Sequence, residues 1–71
     1  MTSYEMERKC SEYVDRINTV SKLTYECRIE CMNGYELQVK DDAGDVLYDA
    51  QFEHVGALYW FLRGVVHAVC A

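Results

Sequence analysis

The chain has 71 residues, of which 51% are hydrophobic, and its formal net charge is -5. This length allows one domain, and the apolar fraction favours a folded core over disorder. The negative charge argues against nucleic acid or an anionic membrane as a direct partner, but it permits a basic protein partner. The first residues have no signal-peptide pattern and no apolar run is long enough to span a membrane, so we expect a cytoplasmic protein with reduced cysteines.

The first predicted element is a helix over about residues 3–20. Thr2 and Glu5 have the spacing of a capping box, which satisfies free amide groups at a helix start. Apolar residues then recur at steps of four and three, which is the period of one helix face. This stripe consists of Met6, Cys10, Tyr13, Ile17 and Val20.

Alternation of apolar and polar residues predicts three strands, over about residues 23–31, 35–40 and 46–52. Asn33-Gly34 is a strong hairpin signal between the first two strands. A two-residue turn there would place apolar residues opposite polar ones, so we predict a three-residue loop of residues 32–34 with Gly34 in the left-handed conformation. The resulting pairs are Cys31 with Tyr35, Ile29 with Leu37 and Cys27 with Val39. In the second hairpin, Val39 is predicted to pair with Val46.

A second helix is predicted over about residues 53–69. Its main apolar stripe consists of Val55, Leu58, Leu62, Val65 and Val69. The expected fold is therefore α+β, in the order α-β-β-β-α. We expect a single domain over residues 1–71, with a three-stranded antiparallel meander and both helices on one face of the sheet.

The four cysteines invite a zinc interpretation. Cys27 and Cys31 would lie ~13 Å apart on one regular strand, which is too far for a shared metal or a disulfide. A mixed site of Cys10, Cys27, His67 and Cys70 is the alternative, but small apolar core residues are the favoured interpretation. We assign no catalytic, cofactor-binding or metal-binding residue and expect a protein that is not an enzyme.

Five carboxylates occur in thirteen residues with no base between them: Asp41, Asp42, Asp45, Asp49 and Glu53. Their summed charge equals the net charge of the whole chain. Such a stretch predicts a negative edge around the second turn and the third strand. Two interpretations are open, namely a surface that binds a basic partner and an edge that prevents aggregation.

The second helix is nearly uncharged, because Arg63 is the one charged residue between Val55 and Ala71 when histidine is neutral. A helix that is apolar nearly all round is either buried or in contact with a partner. Tyrosine and tryptophan are common anchors of protein interfaces. We therefore predict self-association, or contact with another protein, through Tyr59, Trp60, Arg63 and His67. The alternative is ordinary core with a few exposed aromatic residues.

The element order is that of the double-stranded RNA-binding domain, whose lysines at the start of the last helix hold phosphates. This chain has Gln51, Phe52, Glu53 and His54 there, so we reject RNA binding. The five carboxylates and the element order resemble small acidic phage-encoded inhibitors of the anti-CRISPR type. That resemblance implies an inhibitor in the host cytoplasm that occupies the basic surface of a nucleic-acid-binding protein, such as a Cas protein or complex. A homodimeric structural or regulatory domain with the C-terminal helix as interface is the alternative.

Overall fold

The computed structural model describes residues 2–30 and 34–69. Two helices flank three strands, and the elements are α1 (Ser3–Val20), β1 (Thr24–Glu30), β2 (Gly34–Lys40), β3 (Val46–Phe52) and α2 (Val55–Val69). The strands form an antiparallel sheet in the order β1-β2-β3. The predicted α+β fold with the order α-β-β-β-α is thus confirmed.

Helix α1 begins where the capping box predicts. The Oγ1 atom of Thr2 accepts a hydrogen bond of 3.1 Å from the Glu5 amide. The buried residues of α1 are Cys10, Val14 and Ile17. Val20 was included in the predicted stripe but is 58% exposed. Because α1 packs against β1 as well as α2, its buried face runs through Val14 instead.

Both helices cover one face of the sheet, and their side chains form the core together with Leu37 of β2. The buried stripe of α2 is rotated from its predicted position. Tyr59 and Val66 are buried at 8% and 7% exposure, while Val69 is 47% exposed. Tyr59 packs edge-on against Tyr13 of α1, with the ring centroids 5.8 Å apart. Contact with α1 therefore draws Tyr59 inward.

The register of both hairpins differs from the prediction by two residues. Cys27 pairs with Leu37, Ile29 with Tyr35 and Glu30 with Gly34. The predicted pairing of Cys31 and most of the predicted loop lie outside the described residues. A shift by an even number keeps each side chain on its face, so the predicted core side is retained. In the second hairpin Val39 pairs with Tyr48, and Val46 pairs with Lys40 beside a register irregularity.

Gly34 has a positive φ of 84°, as predicted, but it lies inside the sheet. A β-carbon at this position would collide with the carbonyl oxygen of Phe52, because β2 begins directly beside the end of β3. Glycine has no β-carbon, so it allows two backbones to approach this closely. An alanine at position 34 would therefore have to displace the main chain at the end of β3.

Candidate protein-interaction surface

The turn between β2 and β3 is held together by one carboxylate. Oδ1 of Asp41 accepts hydrogen bonds from the amides of Ala43 and Asp45, at 3.0 and 2.9 Å. The main chain adds two bonds, from the Gly44 amide to the Asp41 carbonyl and from the Asp41 amide to the Asp45 carbonyl. Gly44 closes the turn with a φ of 89°. Asp41 therefore has a structural role, whereas Asp42 and Asp45 extend into solvent.

The remaining two carboxylates continue along β3, which is an edge strand of the sheet. Asp49 is exposed on the face away from the helices, where its Oδ2 accepts a long bond of 3.5 Å from Gln38. Glu53 is exposed just beyond the end of the strand. The distance from Asp45 to Glu53 along an extended chain is ~26 Å. We refer to Asp41, Asp42, Asp45, Asp49 and Glu53 as the acidic edge.

The spacing of three carboxylates of the acidic edge lowers their cost to folding. Asp45, Asp49 and Glu53 are four residues apart, or ~13 Å along a strand. This separation exceeds the screening length of ~8 Å at physiological salt, so their mutual repulsion is weak. The ion pairs found in residues 2–30 and 34–69 join Lys9 with Glu12 and Lys40 with Glu26, and neither includes the acidic edge. Its charge is therefore available to a partner.

An uncovered apolar surface lies beside the acidic edge. Trp60 and Phe61 of α2 are 62% and 36% exposed, and Val46 and Tyr48 of β3 are 51% and 47% exposed. The rings of Tyr48 and Phe61 are stacked with a centroid distance of 6.2 Å and an interplanar angle of 6°. Phe61 also contacts Phe52, at 5.6 Å. We refer to Val46, Tyr48 and Phe61 as the aromatic patch; Trp60, whose ring contacts Tyr59 at 5.5 Å, is exposed on a different side of α2.

The predicted contact residues of α2 are divided between core and surface. Tyr59 lies in the core, so its prediction as a contact residue needs correction. Trp60 and His67 are exposed, and Arg63 is half-buried with its guanidinium 4.8 Å from the centre of the Trp60 ring. Consecutive side chains on a helix point about 100° apart, which allows Tyr59 and Trp60 to have opposite environments.

Sequence reasoning missed Tyr48, which it assigned to the covered side of β3. The strand does direct Tyr48 towards the helix layer, but α2 leaves the first half of β3 uncovered. A signal was present in the sequence. Val46, Leu47 and Tyr48 are three consecutive apolar residues at the start of an edge strand, and a run of this kind on a surface suggests a functional contact.

The two cysteines in the described part of the chain, Cys10 and Cys27, show no sign of catalytic activation. Cys10 is buried and Cys27 is half-buried, and both are free thiols. Burial, with smaller contributions from Cys27 and Glu7, raises the pKa of Cys10 to about 11. Burial also raises the pKa of Cys27. Since the thiolate is the reactive form, both are weak nucleophiles at neutral pH.

Metal binding is the other chemistry that cysteines can support. The described residues contain no group of three His, Cys, Asp or Glu side chains that could hold a metal ion. Cys31 and Cys70 lie outside the described part of the chain. His67, the remaining member of the mixed site, is on the exposed side of α2.

Comparison with protein-family models, curated proteins and solved structures found no match. Within residues 2–30 and 34–69, neither helix is long and apolar enough to cross a membrane. The acidic edge and the aromatic patch are therefore the features from which a function can be inferred.

Proposed function

We propose that this chain is a non-enzymatic, phage-encoded inhibitor that binds a basic surface on a nucleic-acid-binding host protein. The observation that carries the proposal is the acidic edge. It places five carboxylates in the β2–β3 turn and along the edge strand that follows, and in the described part of the chain none of them is in an ion pair. An effector such as a Cas protein or complex has a surface of the required charge.

Competition with nucleic acid follows from elementary electrostatics. Proteins hold nucleic acid chiefly through lysine and arginine contacts to phosphates. A line of carboxylates presents spaced negative charge to the same side chains without chemistry. It also raises the association rate with a basic partner and suppresses binding to nucleic acid itself.

The aromatic patch supports a specific complex in place of loose charge attraction. Exposed ion pairs contribute at most about 1 kcal/mol each, so charge alone discriminates poorly between basic surfaces. Tyrosine and tryptophan are enriched among residues that dominate binding energy. Tyr48 lies in the aromatic patch on the helix side of β3, where Asp45 directly precedes Val46, whereas Asp49 lies on the opposite face of the strand. A partner docked here would make apolar contacts flanked by ion pairs.

The test is affinity capture of host proteins with the wild type and a triple variant, Asp42→Asn with Asp45→Asn and Asp49→Asn. Asp41 is retained because it holds the turn. The captured partner should bind the variant roughly tenfold to a hundredfold more weakly, at up to ~1 kcal/mol per contact. Wild-type affinity should fall as salt rises, and the melting temperature of the variant should stay equal or rise slightly.

A matched control removes three carboxylates elsewhere: Glu5→Gln, Glu12→Gln and Glu36→Gln. This variant has the same net charge as the test variant and should keep wild-type affinity. Equal affinity of the wild type and the Asp42/Asp45/Asp49 variant at low salt would make the acidic edge a solubility device. The bound partner should also lose its nucleic acid, and a complex that retains nucleic acid would contradict inhibition by competition.

The second candidate function is a homodimer through α2, and the exposure of Trp60 favours it. Trp60, at 62% exposed, lies on a helix face whose other residues are small or aromatic, with Arg63 at its side. Trp60→Lys should then yield a folded monomer. Sedimentation of the wild type over a micromolar concentration series tests this directly. A wild type that stays monomeric would exclude the dimer and leave the exposed Trp60 for another protein.

A further inference from the structure

A groove of about 400 Å³ lies between α1 and β1, at the opposite edge of the sheet from β3. Its floor is formed largely by core side chains, among them Cys10, Val14 and Leu58. This volume is within the usual range for a ligand site. One rim belongs to a single side of α1, because its residues are three or four positions apart. These rim residues are Glu7, Ser11, Asp15 and Asn18.

The other rim is the outer edge of β1, and Asn18 shows which way its main chain points. The Asn18 amide nitrogen donates to the Tyr25 carbonyl at 3.0 Å, and its Oδ1 accepts from the Tyr25 amide at 2.7 Å. The polar groups of Tyr25 therefore point away from β2. In an antiparallel pair this direction alternates along the strand. The amides and carbonyls of Cys27 and Ile29 consequently point to the same free edge.

Asn18 thus makes the two hydrogen bonds to Tyr25 that a neighbouring strand would make. The next main-chain groups that point to this edge, those of Cys27 and Ile29, are open to a further strand. Among residues 2–30 and 34–69, no side chain makes a hydrogen bond to the main chain of Cys27. An open row of amides and carbonyls is a template for another strand. Cys27 also lines the groove, so the template and the groove are adjacent.

The charge of the groove indicates which side chains of a partner would fit it. Among the described residues, Glu7, Asp15 and Glu26 line it, and no lysine or arginine does. Glu26 is paired with Lys40 at 3.2 Å, so Glu7 and Asp15 are the two groove carboxylates that have no ion pair within residues 2–30 and 34–69. Glu7 accepts a hydrogen bond from Tyr35 at 2.7 Å through Oε1, and its second oxygen remains available. An apolar floor below an anionic rim suits lysine or arginine, whose long stems are apolar and whose ends are cationic.

We propose that this groove binds an extended, basic segment of another protein, which joins β1 as a fourth strand. Its main chain bonds to Cys27 and Ile29, as in other cases of strand addition. Its alternate basic side chains lie over the groove floor and reach Glu7 and Asp15. This site is at the other edge of the sheet from the acidic edge and stands independently of the proposed inhibitor function.

The test uses a capped hexapeptide of alternating lysine and threonine as the probe, added to the full chain labelled with nitrogen-15. The amide signals of Cys27 and Ile29 should shift, and their hydrogen exchange should slow by at least about tenfold. A glutamate-threonine peptide should cause neither change. A lysine-threonine peptide N-methylated on every residue keeps its charge but loses its amide donors, and it should also fail.

Substitutions in the chain test which carboxylates contribute to the affinity for the peptide. Glu7→Gln with Asp15→Asn should weaken peptide binding roughly tenfold, and glutamine still accepts from Tyr35. The matched control, Glu12→Gln with Glu36→Gln, removes equal charge from side chains that neither line the groove nor belong to the acidic edge, and it should change affinity by less than about twofold. Equal weakening by both pairs would overturn the proposal. So would equal binding of the N-methylated peptide, or no binding of the probe at millimolar concentration.

Discussion

The two edge strands of the sheet, β1 and β3, are protected from unwanted strand pairing in different ways. Beside β1 lies helix α1, and Asn18 satisfies the polar groups of one edge residue, Tyr25. At β3, helix α2 leaves the first half of the strand uncovered, and carboxylates of the acidic edge lie before, within and after the strand. Natural proteins use both devices, cover and charge, against aggregation.

The comparison shows how protection and recognition can share residues. At β1 the cover is partial, so open main-chain groups remain next to Glu7 and Asp15. At β3 the side chains carry the charge, and an aromatic patch lies beside them. Because both edges are anionic, two copies of this chain repel each other edge to edge, whereas a basic partner is attracted to either edge.

The largest expected loss of stability comes from substituting Gly34, which lies beside the Phe52 end of β3, and the matching substitution is at Gly44, in the turn before β3. Gly34 meets the backbone at the Phe52 end, whereas the space around Gly44 at the turn is open. Gly34→Ala combines a backbone collision with an unfavourable φ and should lower the free energy of unfolding by about 3 kcal/mol. Gly44→Ala carries the φ cost alone and should lower it by about 1 kcal/mol. Urea denaturation of both variants measures the difference, and equal losses would show that β3 is not held at its Phe52 end.

The next largest loss of stability is expected at β1, where Asn18 binds the main chain of Tyr25. Asn18→Ala leaves the Tyr25 amide and carbonyl without their side-chain partner and should cost about 1–2 kcal/mol. Hydrogen exchange at the Tyr25 amide should be faster in Asn18→Ala than in the wild type. The control is Gln38→Ala, which removes the long, exposed bond to Asp49 and should cost less than about 0.5 kcal/mol. If the Tyr25 amide exchanges at the wild-type rate in Asn18→Ala, Asn18 does not close this edge.

The smallest effect is the pH dependence of the stability that Tyr35 contributes on the groove side of the sheet. The hydrogen bond to Glu7, with burial and the Glu7 charge, raises the pKa of Tyr35 from 10.0 to about 12. A raised pKa contributes stability below the unfolded value of 10.0 and loses it as pH rises through about 12. Tyr35→Phe should therefore cost about 0.5–1 kcal/mol at neutral pH. Its deficit relative to the wild type should shrink between pH 10.0 and about 12.

Tyr4→Phe is the control for that measurement, since Tyr4 is 72% exposed. Its stability should follow the wild type at every pH. Urea denaturation across the alkaline range provides the comparison. A deficit of Tyr35→Phe that stays constant to pH 12 would show that the phenol proton is not shared with Glu7.

Local patterns in the sequence determined the elements and their order. The capping box marks the start of α1, the period of the apolar residues separates helices from strands, and Gly34 was correctly assigned a positive φ. These features depend on neighbouring residues along the chain, so a sequence carries them directly. The concentration of carboxylates between Asp41 and Glu53 was equally visible.

Register and burial were decided by contacts between distant residues. Faces alternate every two residues in a strand, so two registers that differ by two satisfy the same pattern, and the alternation alone does not distinguish the observed pairing of Glu30 with Gly34 from the predicted one. Tyr59 and Trp60 are adjacent in an apolar helix, and the position of α1 determines that Tyr59 is buried. Tyr48 is exposed because α2 does not cover the start of β3, and the groove exists because α1 only partly closes the edge of β1. Each of these outcomes depends on where one element lies against another, which local periodicity does not encode.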